Sequence, residues 1–196
     1  MNNQGGYPVD QASREEASPL FLNDIWTVYF HNPQDHDWTY DSYVRLGNIS
    51  TAEEVLAYID IMREDVQNGM FFVMREHVFP CWDDPLNIGG TTVSMKILKD
   101  GVTQDWEDIM CSVLGETFLK DASLANSVNG ISISPKRSFC IIKIWMRQPG
   151  LLTTISDATI PATYTGDLHC SANADNIKNN NARETQCSST VGGEVK

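Results

Sequence analysis

The stretch PCWDDP, residues 80–85, holds a tryptophan between two prolines and puts two carboxylates directly after it. Prolines on both sides exclude a helix interior and a central strand, so Trp82 rides on a turn-like loop. An indole offers a flat face for stacking, and the ionised acids Asp83 and Asp84 only accept hydrogen bonds. The plain alternative is a partly exposed loop Trp beside solvated acids. Trp38 follows the polar run NPQDHD and precedes a strand-like stretch. It reads either as a core residue or as a second stacking plane at a rim. The third feature is SFCIIKIWMR, residues 138–147. Side chains alternate along a strand, so Ile141, Lys143, Trp145 and Arg147 share one face and Cys140, Ile142, Ile144 and Met146 the other. The second face is wholly apolar and belongs to the core. The first carries a Trp between two cations, with the basic turn Pro135-Lys136-Arg137 nearby. It is either a solvated sheet face or a ligand site.

Two aromatic planes, one or two carboxylates and a small cationic patch together suit an anionic nucleotide. Bases stack on aromatic faces. A carboxylate accepts from the N–H donors of guanine, whereas the matching edge of adenine presents an acceptor. Lysine and arginine hold phosphates. A positively charged base would add a cation–π attraction to the stacking.

The elements that must carry these residues follow from periodicity. DIWTVYFH (24–31) and TYDSYVRL (39–46) read as strands. Ser50 is a candidate N-cap, with Glu53 three residues later. Val55, Ile59, Met62 and Val66 then mark the apolar face of a helix over about 51–65, stopped by Asn68-Gly69. MFFVMREHVF (70–79) is strand-like and leads into the Trp82 loop. Asn87–Gly90 is a turn, and TTVSMKILK (91–99) a strand. A second helix spans 102–118, with Thr103 as candidate N-cap and Trp106, Met110, Val113 and Leu114 on one face. Strands over 126–134 and 138–147 are joined by the basic turn. Residues 150–161 suit a short helix and 162–169 a last strand. The strands are amphipathic, which suggests an antiparallel sheet with helices on one face, an α+β class.

Composition sets outer bounds. The chain has 196 residues, 41% of them apolar and 20% charged, enough for one domain with a real core. The first 18 residues read as a flexible polar leader without a signal peptide, residues 19–170 as the domain, and 171–196 as a disordered polar tail. No apolar run is long enough for a membrane span. The five cysteines are scattered without a CxxC pair, so neither a disulfide framework nor a zinc site is expected, and the compartment reads as cytoplasmic. A net charge of −12 argues against sequence-blind binding along a nucleic-acid backbone, but leaves room for an anion at one local basic cluster. The four histidines form no ligand motif, the acids show no metal-binding spacing, and there is no P-loop. An enzyme, a metal and a cofactor are therefore not expected.

With those residues in view, the chain resembles the eukaryotic translation initiation factor 4E family, which binds the 7-methylguanosine cap of messenger RNA. The resemblance runs from about Pro19 to His169. It rests on Pro19-Leu20, Trp26 with Tyr29-Phe30, Trp38, the STAEEV helix start, Pro80–Asp84, Gly89-Gly90, Trp106 through Phe118, and Ile142–Trp145. Each word is short; their order and spacing carry the match. The resemblance implies a curved antiparallel sheet backed by helices on its convex face, with the cap in the concave face. It implies that Trp38 and Trp82 sandwich the methylated base, that Asp83 reads the guanine edge where the family typically has Glu, and that Trp145 lies by the methyl group. Phosphate contacts fall to Lys143 by side-chain direction, then Lys136 and Arg137 by position, then Arg147. Thr91 stands where the family often has a basic residue, so triphosphate contacts are expected to be fewer or relocated. The convex face implies a 4G-type scaffold partner at Pro19, Leu20, Ala52 and Leu56. There Leu56 replaces the family's Trp, and Ala52 and Glu107 replace larger apolar residues. Three functions remain open: an initiation factor recruiting capped messenger RNA, a cap-binding repressor, or an interaction module that has lost cap affinity.

Overall fold

The computed structural model describes residues 18–152 and 155–180. In chain order the elements are β1 (Phe21–His31), β2 (Tyr43–Thr51), α1 (Ala52–Met62), β3 (Met70–Arg75), β4 (Thr91–Leu98), α2 (Val102–Leu114), β5 (Val128–Pro135), β6 (Phe139–Met146) and β7 (His169–Ala172). Short 3-10 turns lie at Tyr40–Ser42, Ala122–Ser127 and Ile155–Asp157. The strands form one curved antiparallel sheet in the order β2-β1-β3-β5-β6-β4-β7, and the class is α+β as expected.

Alternation divides the sheet into two faces. Trp26 and Val28 of β1, Phe71 and Val73 of β3, and Cys140, Ile142, Ile144 and Met146 of β6 pack with α1 and α2 in the main core. Val55, Ile59 and Met62 supply the buried stripe of α1. The other face holds a second apolar cluster of Met70, Phe72, Met74, Val78 and Trp145, with Tyr29, Tyr43 and Trp82 packed against it. Every residue of β3 is buried because this central strand is covered on both sides.

Several element boundaries differ from expectation. The α1 cap is Thr51 rather than Ser50. Thr51 Oγ1 accepts from Glu54 N at 3.2 Å, and the Glu54 carboxylate accepts from Thr51 N at 3.1 Å and Ser50 N at 2.6 Å. The pairing moves by one residue because β2 runs through to Thr51, so the helix begins at Ala52 and the residue before it is Thr51. The α2 N-cap is Gly101, without a side-chain bond, and Thr103 lies inside the helix. The helix ends at Leu114, and Glu116 adopts a positive φ of 56°. The strand expected over 39–46 starts at Tyr43, because Ser42 N donates to Thr39 O and closes a turn. The last strand is His169–Ala172 rather than 162–169: a turn from Tyr164 N to Pro161 O occupies the earlier segment.

Residues 171–180, expected to belong to a disordered tail, are ordered. β7 pairs with Thr91–Ser94 of β4, and residues 173–180 are helical. Composition understates this order because polar side chains supply the contacts. Asn173 is fully buried, and Asn176 Nδ2 donates to Thr92 Oγ1 and Ser171 Oγ. The leader, apart from Ser18, and residues 181–196 lie outside the described residues.

Candidate functional site

On the face of the sheet away from α1 and α2, aromatic side chains gather at one end. Trp38 is 47% exposed, and its ring stacks on buried His31 with centroids 4.1 Å apart and planes within 4°. His31 Nε2 lies 2.8 Å from the Asp37 carbonyl, so a proton on Nε2 donates to it and fixes the imidazole behind the indole. Tyr43 stands edge-on to His31 at 4.9 Å, and its hydroxyl donates to Pro80 O at 3.2 Å. That bond ties the Trp38 end of the sheet to the Trp82 loop. Burial, and then the nearby charges of Cys81 and Asp83, raise the Tyr43 pKa, so the phenol keeps its proton.

The segment 76–90 between β3 and β4 carries Trp82. The side chains of Asp84, Asn87 and Asn129 set its shape. Asp84 is buried; its carboxylate accepts from Phe79 N at 3.2 Å and Leu86 N at 2.9 Å. Asn87 Nδ2 donates to the carbonyls of Phe79 and Cys81, and its Oδ1 accepts from Asn129 on β5. Gly90 packs so tightly that a Cβ there would overlap the Met146 carbonyl oxygen. Asp84 is therefore committed to the backbone, whereas Asp83 is exposed. Burial first, and the neighbouring Asp83 carboxylate second, push the Cys81 thiol pKa up to about 12.

Trp82 is half-buried and lies over Trp145, with centroids 6.4 Å apart and a 31° tilt. Trp145 is only 3% exposed, and its Nε1 donates to Ser132 Oγ at 3.0 Å. The open face expected around Trp145 is thus closed by the Trp82 loop. Lys143, two residues earlier on the same face of β6, puts its Nζ 4.7 Å from the Trp82 ring centroid. Its pKa falls to about 8, first from burial and then from repulsion by Lys136. Lys136 and Arg137 are exposed in the β5–β6 turn. Arg147 is occupied otherwise: its Nε donates to Asn129 Oδ1 at 3.2 Å, beside the Asn87 bond. Trp38, Trp82, Asp83, Trp145, Lys143 and Lys136 thus belong to one face, while Arg147 supports the loop from beneath.

The sequence reading missed His31, Tyr43, Asn87, Asn129 and Asn173. The alternation that marks the core face of β1 also sets Tyr29 and His31 on the opposite face, and that was the available signal. The asparagines left little, since Asn129 and Asn173 bond to residues 42 or more positions away, and the local bonds of Asn87 to Phe79 and Cys81 follow no recognisable motif.

Asn173 closes the loop from the far end of the chain. Its Nδ2 donates to Asn87 O at 2.6 Å, and its backbone N donates to Gly90 O. Asn173→Ala leaves the buried Asn87 carbonyl short of a donor, a loss of about 1–2 kcal/mol. Urea unfolding is expected to show that loss, and amide exchange to quicken across 79–90 but not in α2. Unchanged exchange in the loop would remove this role.

The titration of Lys143 has a definite sign. The folded protein holds this lysine near pKa 8, below its ordinary 10.5, so between those pH values the unfolded chain binds more protons. Its charge therefore destabilises the fold below about pH 8, and the effect fades as pH rises. Lys143→Met is expected to be more stable than wild type at pH 7, with the difference shrinking toward pH 10; a constant difference in melting scans would contradict this.

A second surface lies on the helix-bearing side. Ala52 N donates to Leu20 O at 2.8 Å, and Leu20 N to the Glu53 carboxylate at 3.3 Å. Leu20, Phe21 and Leu56 are exposed, Ala52 and Leu56 stand one turn apart, and Pro19 is exposed beside them. Glu107 on α2 pairs with Arg63 at 2.9 Å. Among the described residues no cluster of His, Cys, Asp or Glu could hold a metal ion, and no helix is long and apolar enough to cross a membrane.

One curved antiparallel sheet, two helices on one face and aromatic residues with a Trp-bearing loop on the other define an α+β protein. Residues 21–183 match the model of the eukaryotic initiation factor 4E family, and the chain belongs to that family. Its members are binding factors rather than enzymes. A translation initiation factor 4E homologue of Acanthamoeba polyphaga mimivirus is 33% identical over 135 residues, covering 58% of this chain and 50% of that protein. Initiation factor 4E-4 of Caenorhabditis elegans is 26% identical over 121 residues, covering 60% and 53%. The chain thus spans about half the length of these curated relatives. Among solved structures, C. elegans eIF4E-3 in complex with the 4E-binding protein Mextli and a cap analog superposes with a TM-score of 0.68 at 14% identity, covering 82% of this chain and 96% of that one. Schistosome eIF4E complexed with m7GpppA and 4E-BP gives 0.59 at 18%, covering 67% and 74%. At such identities the likeness speaks for the fold.

Proposed function

We propose that this chain binds the 7-methylguanosine cap of messenger RNA, with the charged base between Trp38 and Trp82. The observation that carries this reading is the exposed Trp38 indole, backed by buried His31 and joined through Tyr43 to the loop that presents Trp82. An indole held rigidly against a ring on one face and open on the other is suited to stacking a base. A base with a positive charge gains a further cation–π attraction. Asp83, exposed where Asp84 is buried and committed to the backbone, accepts from the guanine N–H donors. Lys143, Lys136 and Arg137 face the phosphates, and Arg147 acts only through the loop. Trp145 lies beneath Trp82, beside the methyl group. On the other side, Pro19, Leu20, Ala52 and Leu56 receive a helical segment of a 4G-type scaffold, and the protein acts in the cytoplasm to bring messenger RNA to translation. Family membership supports this reading, as do fold neighbours captured with cap analogs and 4E-binding proteins.

The test is a tryptophan-fluorescence titration with 7-methyl-GTP and with GTP. Strong quenching by the methylated nucleotide alone is expected. Equal, weak responses to both would sink the cap reading and favour an interaction module. A helical 4G-type peptide is expected to bind wild type and to lose binding to Leu56→Asp; equal binding by both would remove the scaffold surface.

A further inference from the structure

Lys143 is the one proposed phosphate ligand that also touches the proposed base clamp. Its Nζ is 4.7 Å from the Trp82 centroid, and among the described residues it makes no ion pair. A half-buried ammonium without a carboxylate is held mainly by the ring, and the depressed pKa agrees with that scarcity of countercharge. A charged base needs the same π system. A cation on the near face of an indole occupies the stacking position. On the far face it still opposes a second cation, because both draw on one quadrupole and repel each other across a ring's thickness. Whichever face Lys143 takes, it weakens the grip of Trp82 on a positive base. A phosphate is a stronger partner for an ammonium than a ring is, since the bond is charge-assisted. Lys136 beside it adds to the pull on any anion.

We propose that Lys143 is a specificity-determining residue that couples the two halves of the ligand: a phosphate draws its ammonium off Trp82, and only then does the ring stack a charged base at full strength. This rests on the cap reading of the cleft. It makes the protein select methylated nucleotides over methylated nucleosides more sharply than two independent contacts would. Bare 7-methylguanosine meets an opposed clamp, whereas 7-methyl-GTP opens it.

The experiment is calorimetric titration of wild type and Lys143→Met with 7-methylguanosine, 7-methyl-GTP and guanosine. Methionine keeps the chain length and removes a half-buried charge, so the fold is expected to survive; Lys143→Arg, which keeps the charge, serves as the second variant. In wild type the triphosphate is expected to strengthen binding steeply. In Lys143→Met the ratio of nucleoside to nucleotide dissociation constants should fall about tenfold. Part of that fall should come from 7-methylguanosine binding about threefold tighter than to wild type, with no gain for neutral guanosine. Lys143→Arg should keep most of the wild-type ratio. If Lys143→Met only weakens 7-methyl-GTP and leaves 7-methylguanosine unchanged or weaker, Lys143 is a simple phosphate contact and the coupling is wrong. If wild type binds neither methylated ligand, the cap reading itself fails, and the coupling with it.

Discussion

Trp82→Ala is expected to weaken 7-methyl-GTP binding by about 10- to 100-fold and to reduce the preference over GTP. Loss of one base-stacking aromatic removes about 1–3 kcal/mol, and each 1.4 kcal/mol is a factor of ten. The preference falls with it because only the methylated base carries the charge that an indole attracts. The fold should survive the change. The loop is stapled by Asp84, Asn87 and Asn173, none of which bonds through the Trp82 ring. Trp145 would be uncovered, so its intrinsic fluorescence provides a check that the cleft has opened. Calorimetry avoids depending on the deleted fluorophore. Undiminished, methyl-selective binding by the variant would mean that the base is held elsewhere.

The largest stability effect is expected at Arg75, the last residue of β3, just before the Trp82 loop. It is 2% exposed, yet its guanidinium is fully engaged. Nη1 pairs with Asp24 at 2.5 Å and Nη2 with Glu116 at 2.9 Å. Nε donates to Val128 O, Nη2 also to Ala125 O, and the group lies 4.7 Å over the Trp26 ring. One side chain therefore ties β1, β5, the turn before β5 and the end of α2. Arg75→Met keeps much of the volume but strands two carboxylates and two carbonyls. Removing one partner of a buried ion pair costs about 3–5 kcal/mol. Asp24 is about one-third exposed and can rehydrate, so the lower end applies, roughly 3 kcal/mol. For a chain of this size that is a fall in melting temperature of about 6–12 °C. Adding Glu116→Gln should recover part of the loss, because it removes one stranded charge. A shift below about 2 °C would show that water replaces the guanidinium without penalty. Lysine is not expected to substitute, since it lacks the planar fork that reaches four acceptors.

Much of this architecture was legible in the chain, and the reason is local. Val55, Ile59 and Met62 recur at helical spacing because one face of α1 is buried, and burial writes a period of 3.6 into any sequence. The two faces of β6 separated correctly because side chains alternate whatever lies above them. The cap moved from Ser50 to Thr51 because two adjacent hydroxyl residues both satisfy the motif; only the extent of β2 chooses between them. Residues 171–180 looked too polar to be ordered, yet Asn173 and Asn176 hold them by hydrogen bonds to residues 84 or more positions away.

The site divides along the same line. Residue type and spacing marked Trp38, Trp82, Trp145 and Lys143 as candidates, because stacking and charge are properties of individual side chains, and the family resemblance chose Asp83 from the two acids. What Trp82, Trp145 and Lys143 touch was settled by packing between distant segments, and what Trp38 and the two acids touch by how their own loops fold. Asp83 and Asp84 are chemically equivalent neighbours, and only the path of the loop turns one inward to bind backbone amides and leaves the other exposed. Trp145 and Arg147 share a strand face with Lys143, but Trp82 covers the first and Asn129 engages the second. His31 became the backing of Trp38 because a strand and the loop after it fold onto each other. Such pairings depend on which strands become neighbours, and strand order is set by burial summed over the whole sheet rather than by any residue and its near neighbours in the chain.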